Sequence, residues 1–178
     1  MPVYLFAMGR RKTLPDAEVF AALRHLLMQG GDKAVAFSSV AQATGLAAPT
    51  LAQRYGTREA MVRAALLDGW KVLAKATERA ADGAPPTAKG ATQILKALGA
   101  GHAEEIALLV SEFRDPALRE PALAWRQALL TAVGARMGGG SKGQEAAALV
   151  FAAWQGQLMW QKAGGPGIRV KDVVKHLA

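Results

Sequence analysis

A short stretch at residues 48–55, APTLAQRY, combines side chains that could contact nucleic-acid bases and phosphates. On a helix, Thr50, Gln53 and Arg54 would share one side, because residues three and four apart are neighbours. A threonine hydroxyl can donate to a phosphate, whereas glutamine and arginine can bond bidentately to adenine and guanine. Ala48 is small enough to let the backbone approach such a surface. These residue types favour the reading of DNA.

Other chemistries find little support in the residue inventory. The chain has no cysteine, which excludes disulfides, thiolate zinc sites and a cysteine nucleophile. Its three histidines lie far apart, and only His102, followed by Glu104 and Glu105, resembles a catalytic constellation; acids near a helix start are explained by the helix dipole. The segment GGGSKG at 138–143 lacks the order of a phosphate-binding loop. We therefore predict no enzyme, no metal site and no cofactor.

The charge balance points to a polyanionic partner without locating a binding face. The 178 residues carry a formal net charge of +8, and 51% of them are hydrophobic, which suffices for a core. Residues 1–60 hold seven Lys and Arg against four Asp and Glu, so the excess there is only +3. No apolar run is long enough to span a bilayer, and MPVYLFA at residues 1–7 lacks the preceding basic segment of a signal peptide. We expect a cytoplasmic protein without a membrane partner.

The elements that must position these side chains are all helices. Apolar residues recur three and four apart, and strand patterns of alternating β-branched residues are missing. The sequence therefore predicts an all-α fold with an N-terminal three-helix bundle and a C-terminal helical domain. The predicted helices cover residues 15–29, 39–44, 48–55, 57–82, 87–98, 102–114, 117–137, 143–162 and 169–177, with Gly-Ala-Gly at 99–101 separating the fifth from the sixth.

Two of these helices are too short to be stable alone. Residues 39–44 and 48–55, joined by the turn Gly45-Leu46-Ala47, have the lengths and the glycine of a helix-turn-helix. In that arrangement Ser38 or Ser39 caps the first helix. Leu46 and Leu51 would point to the shared core, which leaves the polar side chains outward.

The run VAQATGLAAPTLAQRYGTREAM, residues 40–61, resembles the helix-turn-helix of the tetracycline-repressor-like (TetR/AcrR) transcriptional regulators. The matching positions are Val40-Ala41, Gly45-Leu46, Thr50-Leu51, Tyr55 and Arg58-Glu59-Ala60-Met61. The resemblance implies a homodimeric, ligand-responsive repressor that binds a pseudo-palindromic operator in double-stranded DNA. It also implies a basic N-terminal arm at 1–12, a helix-turn-helix domain at 13–60, and a ligand-binding and dimerisation domain at 61–178.

Two positions depart from the family pattern. Ala52 stands where the family commonly has a phosphate-binding tyrosine, and Arg58 replaces the usual lysine. Arg58 can still neutralise a phosphate, and it can do so bidentately. A basic arm can add contacts along the DNA backbone or in a minor groove. The predicted DNA-binding residues are Arg10, Arg11, Lys12, Ser39, Ala48, Thr50, Gln53, Arg54, Tyr55 and Arg58.

A dimer is expected from geometry as well as from the resemblance. One presented helix contacts only a few base pairs, whereas two held about 34 to 36 Å apart read a pseudo-palindrome. The helix at 143–162 and the C-terminal helix would form a four-helix interface across a two-fold axis. The predicted interface residues are Leu149, Ala153, Gly156, Gln157, Trp160, Val173 and Leu177.

The remaining helices would hold an effector. By the resemblance, occupancy of a pocket in the C-terminal domain moves the fourth helix and changes the spacing of the two DNA-reading heads. Aromatic and methionine side chains could line a mostly apolar cavity for a small hydrophobic molecule. The predicted lining residues are Trp70, Phe113, Trp125, Met137, Trp154 and Met159. The alternative is a helical ligand-binding or scaffold dimer without specific DNA binding, motivated by Ala52 and the modest N-terminal charge.

Overall fold

In a computed structural model that describes residues 14–161, 163–164 and 167–177, the chain forms eight α-helices and no strand. The all-α prediction is confirmed. None of the helices described is long and apolar enough to cross a lipid bilayer. Two 3₁₀ turns, at Asp32–Ala34 and Pro116–Leu118, lie in the connections before α2 and α6. The helices are α1 (Asp16–Gly30), α2 (Phe37–Thr44), α3 (Ala48–Tyr55), α4 (Arg58–Asp82), α5 (Ala88–Ser111), α6 (Arg119–Arg136), α7 (Gly140–Gln161) and α8 (Val170–Leu177).

The turn between α2 and α3 depends on a glycine. Gly45 has a φ of 72° in the left-handed region, which glycine adopts without steric cost, and its N–H donates to the Ala41 carbonyl at 2.8 Å. After α3, the Thr57 hydroxyl accepts a hydrogen bond from the Ala60 N–H at 3.1 Å and caps α4. These two ends fix α3 as a separate eight-residue helix, with the bounds that the sequence predicts.

The start of α2 differs from the predicted serine N-cap. Ala36 occupies the cap position, and Ser39 is the third residue of the helix. The Ser39 hydroxyl accepts a hydrogen bond from the Ala36 N–H at 2.9 Å and lies 2.8 Å from the Ala34 carbonyl, to which it can donate. The serine thus satisfies the free N–H from inside the first turn, as the third residue of a capping box does.

The predicted break at residues 99–101 is wrong, because α5 continues through it as one helix. Leu98 before the segment and Ile106 after it are both buried, so the same face of the helix meets the core on both sides. A Cβ on Gly99 would lie 3.4 Å from the Trp154 indole Nε1, which shows how closely α7 approaches. Glycine inside a helix costs about 1 kcal/mol relative to alanine, and this packing outweighs that cost.

One apolar core joins the N-terminal helices to the rest of the chain. Leu51 of α3 and Met61 of α4 are fully buried at the N-terminal end, and α4 continues from there into contact with α5 and α6. Farther along, Trp70 of α4 lies 5.5 Å from Trp125 of α6, measured between ring centroids. The predicted domain boundary at residues 60 and 61 falls in the first turns of α4, so this helix belongs to both halves.

Candidate nucleic-acid interface and ligand cavity

Helix α3 presents a polar strip to solvent and an apolar edge to the core. Leu51 is completely buried, and α3 packs against both α2 and α4. Thr50 and Gln53 are exposed, and the half-buried Ala48 is the first residue of the same helix. Their side chains make no hydrogen bond to any residue that the structure describes. Both are therefore available to a molecule that binds this surface.

Arg54, predicted to extend outward from the same helix, folds back onto the start of α1. Its Nη1 donates to the Leu14 carbonyl at 2.8 Å, and its Nη2 lies 2.9 Å from Asp16 Oδ1. The guanidinium carbon lies 5.5 Å from the centroid of the Tyr55 ring. The residue is exposed, as predicted, but a carbonyl and a carboxylate close by already satisfy the cation, so its predicted base contact stays a prediction. In this conformation Arg54 fastens α3 to α1.

Tyr55 contributes to the same attachment. Its hydroxyl donates to Asp16 Oδ1, and its ring lies 5.6 Å from the ring of Phe20. Burial, together with the hydrogen bond to Asp16, raises the pKa of Tyr55 above its ordinary value. A single carboxylate on the first turn of α1 therefore receives both Arg54 and Tyr55 from the last turn of α3. The orientation of α3 on α1 depends on that carboxylate.

Arg58, predicted to neutralise a phosphate, is also engaged within the protein. Its Nε donates to the Val35 carbonyl at 2.7 Å, and its Nη2 donates to the Asp32 carbonyl and carboxylate, both at 2.6 Å. The hydrogen bond to Asp32 is the largest cause of a raised pKa for Arg58. The side chain joins the start of α4 to the connection between α1 and α2. Like Arg54, it holds the helix-turn-helix together.

Of the other predicted DNA contacts, the Ser39 hydroxyl is already hydrogen-bonded within the protein, and the three residues of the basic arm lie outside the described residues. Ser39 uses its hydroxyl at the start of α2, so a phosphate would compete with the Ala36 N–H and the Ala34 carbonyl for it. Arg10, Arg11 and Lys12 lie outside the described residues, and their role stays a prediction.

We call residues 14–60 the head. Its formal net charge is zero, because it contains four Lys and Arg residues and four Asp and Glu residues. The +3 excess of residues 1–60 therefore comes from Arg10, Arg11 and Lys12 alone. The charged residues of the head are Arg24, Lys33, Arg54 and Arg58 against Asp16, Glu18, Asp32 and Glu59.

A cavity of about 370 Å³ lies between α4, α5, α6 and α7. Trp70, Phe113 and Trp125 line it, as the sequence predicts. The Trp70 and Phe113 rings stack with 9° between their planes, and Leu123 at the edge is 64% exposed. We call it the aromatic cavity. The full lining is Trp70, Val110, Phe113, Arg119, Ala122, Leu123, Trp125, Arg126, Phe151 and Gln155.

Three of the predicted lining residues lie elsewhere. Met137 is buried in the core, and Trp154 packs 6.0 Å from the Phe151 ring on the side that faces α5 and α8. Met159 is exposed and lines a separate groove together with Ile106. Helical spacing alone could not separate these positions, since an apolar side chain on α7 can face either side of the same bundle.

Sequence reasoning missed the polar lining of the aromatic cavity. Arg119 and Arg126 stand seven residues apart on α6, and Gln155 lies on α7. The Nε of Arg119 donates to the Phe113 carbonyl at 2.9 Å, and the Arg126 guanidinium carbon lies 5.3 Å from the Phe151 ring centroid. The sequence does contain a signal for these arginines, since a spacing of seven residues places both on one face of a helix.

The predicted dimer face on α7 is exposed. Leu149 and Trp160 are 58% and 70% exposed, although both are large and apolar. Ala153 and Gly156 lie between them at spacings of four, three and four residues, so the four positions share one helix face. A Cβ on Gly156 would meet no atom within 4 Å. This stripe has both the apolar side chains and the open space that another helix could use.

The part of the predicted interface assigned to α8 is occupied within the chain itself. Helix α8 packs against α5 and α7, with Val174 buried and Val173 and Leu177 half-buried against the core. The Gln157 side-chain oxygen accepts a hydrogen bond from the Ile168 N–H at 2.8 Å. The prediction that Val173, Leu177 and Gln157 face a partner is therefore not supported by their contacts, which are intramolecular.

A buried ion-pair cluster links the head to the C-terminal helices. Arg24 of α1 is only 4% exposed, and its Nη1 donates to Asp68 Oδ2 and to the Ala65 carbonyl, each at 2.8 Å. Its Nε lies 2.8 Å from Glu105 Oε1, and the other oxygen of Glu105 lies 3.1 Å from His102 Nδ1. Of the histidine and acid pattern noted in the sequence, His102 and Glu105 belong to this cluster. No group of three potential metal ligands occurs among the described residues.

Comparisons with known proteins agree with this architecture. No protein-family model and no curated protein matches the sequence. A transcriptional regulator from Rhodococcus sp. RHA1 superimposes with a TM-score of 0.72 at 18% identity, covering 92% of this chain and 94% of that one. A TetR-like transcriptional regulator from the same organism gives 0.67 at 15% identity, covering 92% and 95%. The fatty acid degradation regulator FadR of Bacillus halodurans gives 0.62 at 14%, covering 94% of each chain. The chain therefore has the fold of the TetR-like regulators that its helix-turn-helix resembles.

Proposed function

We propose that the protein is a ligand-responsive transcriptional regulator that binds a pseudo-palindromic DNA operator as a homodimer and represses transcription there. The observation that carries the proposal is the exposed strip of α3, held at the surface by a buried Leu51 and by the contacts of Arg54 and Tyr55. A short helix presented in this way suits the major groove. The shared fold with TetR-like regulators supports the same function.

The contacts suggest a division of roles within the helix-turn-helix. Thr50 and Gln53 have no internal hydrogen bonds among the described residues, so phosphate and base contacts fall to them, with Ala48 permitting close approach. Arg54 and Arg58 act as positioning residues, because carbonyls and carboxylates of the protein already satisfy them.

The basic arm would supply the charge that the head lacks. Arg54 holds the Leu14 carbonyl beside α3, and the three basic residues come shortly before Leu14 in the sequence. Replacing Arg10, Arg11 and Lys12 together by glutamine should weaken binding to all DNA sequences alike. The plot of log affinity against log salt concentration should also become shallower, by about 2.7 in slope, if each cation neutralises one phosphate.

The exposed stripe on α7 would be covered by the same stripe of a second copy. Leu149 and Trp160 would supply apolar area, and Ala153 and Gly156 would let the two helix backbones approach. The expected result is a dimer of the native chain and a monomer for Trp160→Glu by sedimentation equilibrium. Gln93→Glu, at an exposed position on α5, is the control and should stay dimeric.

Control by a ligand would pass through α4. Trp70 on this helix forms one wall of the aromatic cavity, and Arg58 at its start holds the head. A bound molecule that shifts α4 would therefore move the head and change the distance between the two copies of α3 in a dimer. Such a rigid shift of a packed helix is a common form of switching.

The proposal is tested by fluorescence anisotropy with DNA from upstream of the protein's own coding sequence and a scrambled duplex of the same composition. We expect the protein to bind the upstream duplex at least about 1,000-fold more tightly than the scrambled duplex, in line with the specificity ratios of DNA-binding regulators. Its affinity for DNA should fall steeply as the salt concentration rises. Equal affinity for both duplexes would refute the proposal and favour a helical ligand-binding dimer without specific DNA binding.

A further inference from the structure

We infer that the aromatic cavity binds a small molecule with an apolar body and one negative charge, in particular an aromatic carboxylate. The regulatory meaning of this ligand rests on the proposed function, whereas the binding is a property of the cavity alone. The predicted hydrophobic effector would therefore be a flat molecule with a negative charge.

The walls of the cavity favour a flat apolar body. Trp70 and Phe113 are nearly parallel with ring centroids 6.1 Å apart, and Trp125 meets Phe151 edge to face at 6.2 Å. Aromatic pairs in these arrangements leave ring faces and edges that another ring can pack against. The volume of about 370 Å³ is near the lower end of the usual range for ligand pockets, about 300 to 1,000 Å³. A ligand of one or two fused rings suits this space.

Two cations converge on the cavity from one face of α6. Arg119 and Arg126 are two turns apart, a rise of about 10.5 Å, with the small Ala122 between them. Only the Nε of Arg119 donates to the Phe113 carbonyl. The other two nitrogens of that guanidinium have no hydrogen-bond acceptor among the described residues. Arg126 lies over the Phe151 ring and likewise has no acceptor in the described part of the chain. Both guanidinium groups can donate to a carboxylate.

The charge around these arginines is not cancelled by the cavity wall. No acidic side chain occurs among the described residues that line the cavity. Asp115 lies close enough to Arg119 for their charges to interact, and its carboxylate already accepts a hydrogen bond from the Arg63 Nε. Gln155 on the opposite wall adds a neutral amide that can bond to a polar substituent. Arg119 and Arg126 are both exposed, so they stand at the open edge of an apolar wall. Two cations at the edge of an apolar site favour an anion over a neutral molecule of equal shape.

The inference is tested by isothermal titration calorimetry of the full-length protein, without DNA, against 2-naphthoate, 2-naphthamide and 2-naphthylmethylamine. The three probes share one ring system and differ in the charge of the substituent. We expect 2-naphthoate to bind about tenfold or more tightly than the amide, equivalent to about 1.4 kcal/mol, and the amine to bind most weakly. Equal affinities for the three probes, or binding of none of them, would overturn the inference.

Variants locate the binding. Arg126→Gln should weaken 2-naphthoate about tenfold and leave 2-naphthamide within about twofold, since the ring walls remain. Leu123→Glu, at an exposed position on the cavity edge, should weaken the carboxylate and strengthen the amine. Arg114→Gln removes an exposed arginine that does not line the cavity and should change neither. A loss for Arg114→Gln equal to that for Arg126→Gln would place the anion outside the aromatic cavity and refute the inference.

Failure here and failure of the proposed function give different results. A protein that prefers 2-naphthoate but binds native and scrambled DNA equally retains the cavity assignment and refutes the regulator. A protein that binds its upstream DNA specifically but shows no preference for 2-naphthoate retains the regulator and refutes the anionic ligand.

Discussion

Replacing Arg24 with methionine removes the cation that ties the head to α4 and α5. The methionine side chain can occupy much of the apolar path of the arginine stem, but Asp68 and Glu105 lose the guanidinium, and Glu105 keeps only its contact with His102. Removing one member of a buried ion pair costs about 3 to 5 kcal/mol, because the charge left behind is uncompensated. The side chains of Asp68 and Glu105 keep 21% and 14% exposure, so we expect the lower end, about 3 kcal/mol.

Urea unfolding followed by far-ultraviolet circular dichroism measures this loss. The free energy of unfolding should fall by about 3 kcal/mol with an unchanged slope against urea, and the melting temperature should fall by about 6 to 12 °C. Arg79→Met, at an exposed position on α4, is the control and should stay within about 0.5 kcal/mol of the native protein.

A rescue variant separates charge from packing. Arg24→Met combined with Asp68→Asn and Glu105→Gln removes the stranded charges, so it should recover most of the lost stability. A loss below about 1 kcal/mol for Arg24→Met alone would refute the reasoning. No recovery in the triple variant would assign the loss to packing of the arginine stem and would also contradict the electrostatic explanation.

Four further substitutions test single positions. Thr77→Val should cost about 1 to 3 kcal/mol of unfolding free energy in urea melts, because the buried Trp125 Nε1 donates to the Thr77 hydroxyl at 3.0 Å. Gly45→Ala should cost about 1 to 2 kcal/mol in thermal melts, since its φ is 72°, whereas Gly101→Ala inside α5 should stabilise by about 0.5 to 1 kcal/mol. Gln53→Ala should cost about 1 to 3 kcal/mol of operator affinity in anisotropy titrations and leave affinity for scrambled DNA unchanged.

The helix-turn-helix was predictable because its signals are local. Gly45, Thr57 and the spacing of apolar residues each act within one or two turns, and the bounds of α3 match the prediction. The continuity of α5 was not predictable in this way. Its Gly-Ala-Gly segment reads as a break unless the close approach of Trp154 from α7 is known.

The orientations of charged side chains depended on contacts distant in sequence. Arg54 meets Leu14, 40 residues away, and Arg58 meets Val35, 23 residues away. A sequence shows that an arginine is on a helix face but not which carbonyl or carboxylate will be nearest to it after folding. The aromatic cavity shows the same division. Three of its four rings were predicted from the residue types, whereas Phe151 and the two arginines were identified only from the packing of α6 against α7.

Hydroxyl-radical footprinting of the upstream DNA tests most directly whether a dimer presents two copies of α3 to an operator. We expect two protected patches, related by the symmetry of a pseudo-palindrome and centred about 10 to 10.5 base pairs apart or a multiple of that distance. Both patches should disappear together for the monomeric Trp160→Glu variant. A single patch, or protection that does not depend on the DNA sequence, would contradict the account.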